Sequence, residues 1–405
     1  MHFKKNKLFI EKVEGTKIVK KFGTPTYCYS LRKLKVNIRN FQKSFNSINP
    51  LLCFSVKSNS NLQILKEVKK LGMGADVVSK GEMVQAFRAG ISPKKIVFSG
   101  VGKKTDELKF AIEKKILLIN AESESEIFEI ERLAKLKKTI VNIGIRLNPN
   151  IDAKTLKKIS TGKREDKFGL TEKAFLNILN NFKDSSFVKV KCLSVHIGSQ
   201  ITDYKPYSKM INVLDKIIKK SQHSFDYVDL GGGMGVQYQK KNKSFNYQKY
   251  SAIIKKFLKK HDVKIIFEPG RSIIANCAVL FAQIIYIKNT EKKRFIILDA
   301  AMNDLMRPAL YGSHHNIIPL IKRNKKNKTI HDFVGPVCET TDKFLSVKGF
   351  QKLNEKDYVA ICDVGAYGMS LSSNYNLRPK ASEIMIENKS SKVILKRQKL
   401  VNIVQ

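Results

Sequence analysis

Apolar positions in this chain follow two spacings that alternate along its length. Short, β-branched apolar runs recur near 51–56 (LLCFSV), 74–78 (GADVV), 95–99 (KIVFS), 116–120 (ILLIN), 140–147 (IVNIGIRL), 189–197 (KVKCLSVHI), 226–230 (DYVDL) and 263–267 (VKIIF). Helical spacing separates them. Leu62, Leu65, Val68 and Leu71 make one stripe that stops at Gly72, and Met210, Leu214 and Ile217 make another. Eight strands alternating with helices predict an α/β fold, a (β/α)₈ TIM-type barrel over residues 30–270. After residue 270 the helical spacing fades. Runs such as RFIILDA, DYVAICDVG and SKVILKR predict a β-rich domain, a β-barrel or sandwich, over 271–405. Residues 1–29 read as extended and are expected to join it, since termini often lie close together. The basic stretch KRNKKNKTIHD at 322–332 is expected to be an exposed loop.

Composition narrows the function class. With 405 residues, 42% of them hydrophobic, the chain can build large cores. The formal net charge of +41 invites a nucleic-acid or anionic-surface reading. Against it, the lysines are spread along the whole length, with neither a basic tail nor basic motifs interleaved with aromatics. A solvated surface is the expected meaning, with no nucleic-acid or membrane partner. Cys28, Cys53, Cys192, Cys277, Cys338 and Cys362 form no C-x-x-C pair, so neither a structural metal site nor a disulfide framework is expected. The N-terminus has no apolar signal core, and the longest apolar run, 273–287, is broken by Asn276 and Gln283 and too short to span a bilayer. A cytoplasmic location follows as the expectation.

The unusual residues fall where the expected strands end. Lys57 closes the first, His196 the sixth, Gly231-Gly232-Gly233 follow the seventh, and Glu268-Pro269-Gly270-Arg271 follow the eighth. In a barrel all these points share the C-terminal rim, where active sites of the fold lie. A glycine turn there suits a phosphate, because backbone N–H groups are bare of side chains. Lysine, anion cradle and carboxylate together suit pyridoxal 5′-phosphate (PLP), which needs a Schiff-base amine, a phosphate site and an acid to keep its pyridine protonated. Each residue alone also has a bland reading: a solvated lysine, a structural histidine, and a small buried hydrophobe at Cys338.

Collinear blocks then carry a resemblance over nearly the whole chain. They include FSVKSN (54–59), RLNPNIDAKTLKKISTG (146–162), KFGL (167–170), HIGSQ (196–200), DLGGG (229–233), EPGRSI (268–273), DAAMNDLMRPALYG (299–312), GPVCETTDKF (335–344) and GAYGMSLSSNYNLRPK (365–380). In these the chain resembles the diaminopimelate decarboxylases, barrel-type PLP enzymes related to alanine racemase. The resemblance implies conversion of meso-diaminopimelate to L-lysine and CO₂, the last step of lysine biosynthesis, by a homodimer with active sites between subunits. It implies that Lys57 forms the Schiff base and that His196 stacks on the cofactor. Glu268 pairs with the pyridine nitrogen, and Asp76 also belongs to the cofactor site. Ser199, Gly233, the Gly270-Arg271 turn and Tyr367 hold the cofactor's phosphate, and Gly232 and Pro269 also belong to the cofactor site. Substrate falls to Arg271, Arg307, Tyr311, Glu339 and Tyr367, and Cys338 becomes the proton donor, reaching with Glu339 into the neighbouring subunit's site. Related decarboxylases of ornithine, arginine or carboxynorspermidine share the cofactor residues, so the distal pocket discriminates; a racemase of the same fold lacks the blocks after 299. Two departures stand out: Leu156 follows Thr155 where the family usually has histidine, and CETTD differs from the commoner Ser-Gly type of spacing.

Overall fold

The computed structural model describes residues 1–159, 161–239, 244–324 and 328–404. Ser160 of the 146–162 block and residues 325–327 of the basic stretch lie outside the described residues. The chain forms two compact units. Of the described residues, one takes those within 38–236 and 244–272, the other those within 1–37, 237–239 and 273–404.

The first unit is a closed barrel of eight parallel strands in sequence order. They are Leu51–Ser55, Gly74–Val77, Ile96–Phe98, Leu118–Ala121, Val141–Arg146, Val188–Ser194, Tyr227–Asp229 and Lys264–Phe267. Each coincides with one of the apolar runs. These strands read as nearly unbroken apolar segments because a parallel barrel buries both faces. The eighth strand closes on the first through Ile266–Leu51 and Phe267–Leu52. Cys53, Val97, Leu118, Cys192 and Ile266 pack as one apolar cluster. Burial pushes the Cys53 thiol well above its ordinary range, which makes it a packing group. The helix Leu62–Lys70, capped by the Asn61 side chain on the Gln63 N–H, buries Ile64, Leu65 and Val68. The helix Lys205–Ser221 buries Tyr207, Met210, Leu214 and Ile217. Its Tyr207 ring lies 4.7 Å from that of Tyr250, in an aromatic group that reaches Phe267 of the eighth strand.

The second unit is β-rich. Its main path runs Lys343–Lys348, Ile330–Val334, Lys293–Leu298, Ala278–Asn289, Thr26–Ser30, Ser382–Glu387 and Ser390–Leu395. Tyr358–Cys362 also pairs with Ala278–Asn289. Thr26–Ser30 therefore brings the N-terminal segment into the sheet, between strands from much later in the chain. Not all of residues 1–29 is extended: Gly15–Phe22 is a helix that buries Ile18 and Val19. The basic stretch is likewise no continuous loop. Ile330–Val334 is a strand in which His331 and Asp332 are buried, and Asp332 receives Lys293 at 2.8 Å and Lys343 at 3.1 Å. Paired lysines from neighbouring strands turn a polar stretch into sheet. Among the described residues no helix is long and apolar enough to cross a membrane, and the long apolar run becomes mainly the strand Ala278–Asn289.

Candidate active site

The segments that follow the C-terminal strand ends of the barrel carry nine of the candidate residues, and a tenth, Asp76, lies within the second strand. After the first strand the chain turns through Val56–Ser58 and sets Lys57 Nζ 2.7 Å from Asp76 Oδ2, on the second strand. Ser55 Oγ donates to the same oxygen at 2.7 Å. Asp76 is sealed from solvent, whereas 37% of the Lys57 side chain stays exposed. The amine is thus oriented by a buried anion while remaining open to the barrel mouth.

Polar side chains cross the barrel near the same rim. Asn120 Nδ2 donates to Asp229 Oδ2 at 2.9 Å, the Gly231 N–H donates to Asp229 Oδ1 at 2.9 Å, and Ser99 Oγ donates to Glu268 Oε1 at 3.3 Å. Gly144 makes room for Asn120: a Cβ there would lie 2.0 Å from Asn120 Oδ1. Burial pushes Asp229 up to about 6, and Glu268 rises well above the usual carboxylate range. For Glu268 burial is again the main cause, the charges of Asp229 and Asp76 add to it, and Lys57 opposes it. Two hydrogen-bonded buried carboxyls cannot both ionise cheaply, so Glu268 holds a proton.

The glycine turn after the seventh strand is wedged between its neighbours. A Cβ on Gly232 would lie 2.1 Å from the Glu268 carbonyl oxygen, and one on Gly233 2.2 Å from that of Gly198. Gly233 also sits at φ +90°, where a side chain is strained. The Gly232 N–H donates to His196 Nδ1 at 3.1 Å, and Tyr207 OH donates to the Gly232 carbonyl at 2.8 Å. Arg271 NH2 donates to Ser199 Oγ at 3.1 Å. The Pro269 carbonyl accepts from the Ser55 N–H at 3.2 Å, tying the turn after the eighth strand to the first. Close-packed glycine backbone, a hydroxyl and a guanidinium form a donor set for an anionic oxygen group.

His196 is half-buried and neutral. Burial draws its pKa well below the usual imidazole range, and the cations of Arg146 and Lys57 add to this. Accepting at Nδ1 leaves the proton on Nε2. Its carbonyl takes Thr161 Oγ1 at 2.9 Å and Arg146 NH2 at 3.3 Å. Arg146 in turn pairs with buried Glu122 at 2.7 Å, and Glu122 receives the Gly169 N–H of the KFGL block at 2.9 Å. Leu156 is 50% exposed, while its neighbour Thr155 bonds the Ser199 carbonyl at 2.7 Å.

Five candidates belong to the β-rich unit. Arg307 and Tyr311 begin and end the short helix Arg307–Tyr311. Arg307 is buried, against the Tyr238 ring at 4.7 Å. Cys338 and Glu339 are exposed, and Glu339 accepts from Tyr375 OH and, at 3.0 Å, from Thr341 Oγ1. Buried Asp342 holds their loop, taking the N–H groups of Met302 at 2.7 Å and Val337 at 2.8 Å. Tyr367 is half-buried with φ +57°, in the left-handed region that is uncommon for a non-glycine residue. Sequence reading missed Asp229, Asn120, Arg146, Glu122, Tyr207, His315, Asp342 and Tyr375. Asp229 and Arg146 stood inside quoted blocks at strand ends, which was their only signal.

PLP fits the barrel rim on these observations: an oriented, accessible amine, a glycine cradle that a Cβ would fill, and a buried acid that holds a proton. Residues 31–275 match the family described as pyridoxal-dependent decarboxylase, pyridoxal binding domain. Diaminopimelate decarboxylase of Helicobacter pylori strain J99 is 42% identical over 382 residues, covering 94% of each chain. That of Aquifex aeolicus is 38% identical over 414 residues, covering 100% of this chain and 96% of its own. The crystal structure of diaminopimelate decarboxylase from Helicobacter pylori complexed with L-lysine superposes with a TM-score of 0.92 at 40% identity, covering 96% of this chain and 98% of that one.

Proposed function

The chain belongs to the pyridoxal-dependent decarboxylases and, within them, to the diaminopimelate decarboxylases; from that premise we propose how its own residues divide the work. The protein is a PLP-dependent carboxy-lyase that converts meso-diaminopimelate to L-lysine and CO₂. Bound PLP supplies the electron sink, a protonated pyridine conjugated to the substrate α-carbon, for the electron pair that the departing carboxylate leaves behind.

Lys57 is the covalent anchor, with Asp76 orienting its amine. Glu268, already protonated in the ligand-free site, keeps a proton at the pyridine nitrogen. His196 packs its neutral ring on the cofactor face and has no surplus proton to give at neutral pH. The proton for the substrate α-carbon therefore comes from another acid, and the exposed Cys338 thiol serves. Ser199, Gly232, Gly233 and the Pro269-Gly270-Arg271 turn hold the phosphate together with Tyr367. Arg271 and Arg307 offer guanidinium forks for carboxylate, and Glu339 takes the distal ammonium, with Tyr311 and Tyr367 completing the grip. All cofactor residues but Arg271 and Tyr367 fall in 30–270, which supports reading that segment as the cofactor domain and 1–29 with 271–405 as the β-rich partner domain, although the compact units divide at 37/38 and 272/273 and give 237–239 to the β-rich one.

Cys338 and Glu339 lie exposed on the β-rich unit, which supports a homodimer in which each copy lends them to the other's site. Six cysteines, all free and five of them buried, support a cytoplasmic location. The single observation that carries the reading is the Lys57–Asp76 pair on the same rim as the buried Glu268 carboxyl. Purified protein with PLP should release lysine and CO₂ from meso-diaminopimelate, and Lys57→Ala should not. Faster CO₂ release from ornithine than from diaminopimelate would overturn the substrate assignment.

A further inference from the structure

Arg307 is only 3% exposed, and both of its terminal guanidinium nitrogens are held by neighbouring side chains. NH1 lies 2.8 Å from His315 Nε2, and NH2 donates to Ser313 Oγ at 3.2 Å. On the far side of the imidazole, His315 Nδ1 lies 2.8 Å from the Cys362 carbonyl oxygen. These neighbours dictate the protonation state. A carbonyl only accepts and a guanidinium only donates, so His315 is neutral, with its proton on Nδ1 and the Nε2 lone pair turned to Arg307. An imidazolium would set donor against donor beside a permanent cation.

The mounting is rigid. Cys362 ends the strand Tyr358–Cys362 and pairs with Val279 of the longest strand in the sheet. The His315 ring is fully buried and meets the Tyr238 ring edge-on, centroids 5.4 Å apart, while that same Tyr238 ring lies against the Arg307 guanidinium. Residues from three separate stretches, 238, 307–315 and 362, thus converge on one side chain. A neutral acceptor orients a guanidinium without consuming its charge, which stays available for an anionic ligand.

We propose that His315 is a positioning residue: it aims Arg307 at the carboxylate of the substrate's remote amino-acid end and so sets the preference for ligands that keep that carboxylate. The inference rests on the substrate reading above, and its test is separable from it. His315→Asn keeps a donor for the Cys362 carbonyl but ends short of Arg307; His315→Gln reaches further and can restore an acceptor. With the PLP-loaded enzyme, inhibition by L-lysine is compared with that by 1,5-diaminopentane, which has the same carbon chain and amines without the carboxylate.

Losing one charge-assisted hydrogen bond that holds Arg307 in place should raise the lysine inhibition constant and the diaminopimelate KM of His315→Asn by about tenfold or more. The 1,5-diaminopentane constant should stay unchanged, kcat should fall much less than KM rises, and His315→Gln should lie between. A shared shift for both inhibitors, or no shift for lysine, would overturn the positioning role. So would recovery of both variants only as unfolded protein, since His315 would then be structural. A wild type that makes no lysine from diaminopimelate removes the substrate reading instead, and direct binding of L-lysine and 1,5-diaminopentane to the PLP-loaded proteins, measured by calorimetry, then decides this one by the same pattern of shifts.

Discussion

Asp229→Asn probes the buried carboxyl pair beneath the cofactor site. In the folded, cofactor-free protein Asp229 is raised from 3.8 to about 6, chiefly by burial. The folded state therefore binds a proton that the unfolded chain has already released between about pH 4 and pH 6. The stability linked to this group is full below the unfolded value and is lost as pH climbs through the folded one. A difference of about two pH units, at about 1.4 kcal/mol each, makes the loss about 3 kcal/mol. Glu268 titrates with it, and removing the Asp229 charge removes one cause of its elevation. Asparagine has no proton to lose and keeps an acceptor for the Gly231 N–H, now 2.9 Å from Asp229. Asn120, whose Oδ1 lacks a partner, can turn its amide to meet the new one. Urea unfolding of cofactor-free protein, followed by circular dichroism at about pH 4.5 and 7.5, should show the variant gaining about 2 kcal/mol on the wild type as pH rises, since part of the full difference is already lost at pH 4.5. Parallel pH dependences would refute the reasoning.

Arg146→Ala should cost about 3–5 kcal/mol in the same unfolding assay, because it strands the buried Glu122 carboxylate. Adding Glu122→Ala should return part of that loss; a fully additive double variant would contradict a coupled pair. Cys338→Ala should lower kcat by about 10²–10⁴ if the thiol is the proton donor. Mixing it with Lys57→Ala under subunit exchange should restore activity that neither has alone, because one intact site forms from two damaged chains. Failure of the mixture to recover would refute sharing of Cys338 between subunits.

Eight apolar runs, each the length of a strand, sufficed to read the barrel, because a strand buried on both faces shows as a local apolar segment whatever its partners. Lys57, His196, the glycine turn and Glu268 were legible for a related reason: in a parallel barrel, strand order alone carries the strand ends to one rim. The β-rich unit was harder. Its helix Gly15–Phe22 hid in a segment that read as extended, and the strand Ile330–Val334 hid in a basic stretch, since its buried Asp332 depends on lysines at 293 and 343. Which of two rim carboxyls holds a proton is a matter of desolvation and of the charge next to it, and no spacing records either. That His196 is neutral, and that His315 must be, follows from which donors and acceptors meet them through space. The sequence by itself thus determined the chemical inventory and the strand ends that present it. Only the tertiary structure decided the charge state and aim of each group, because those depend on neighbours that the chain order keeps far apart.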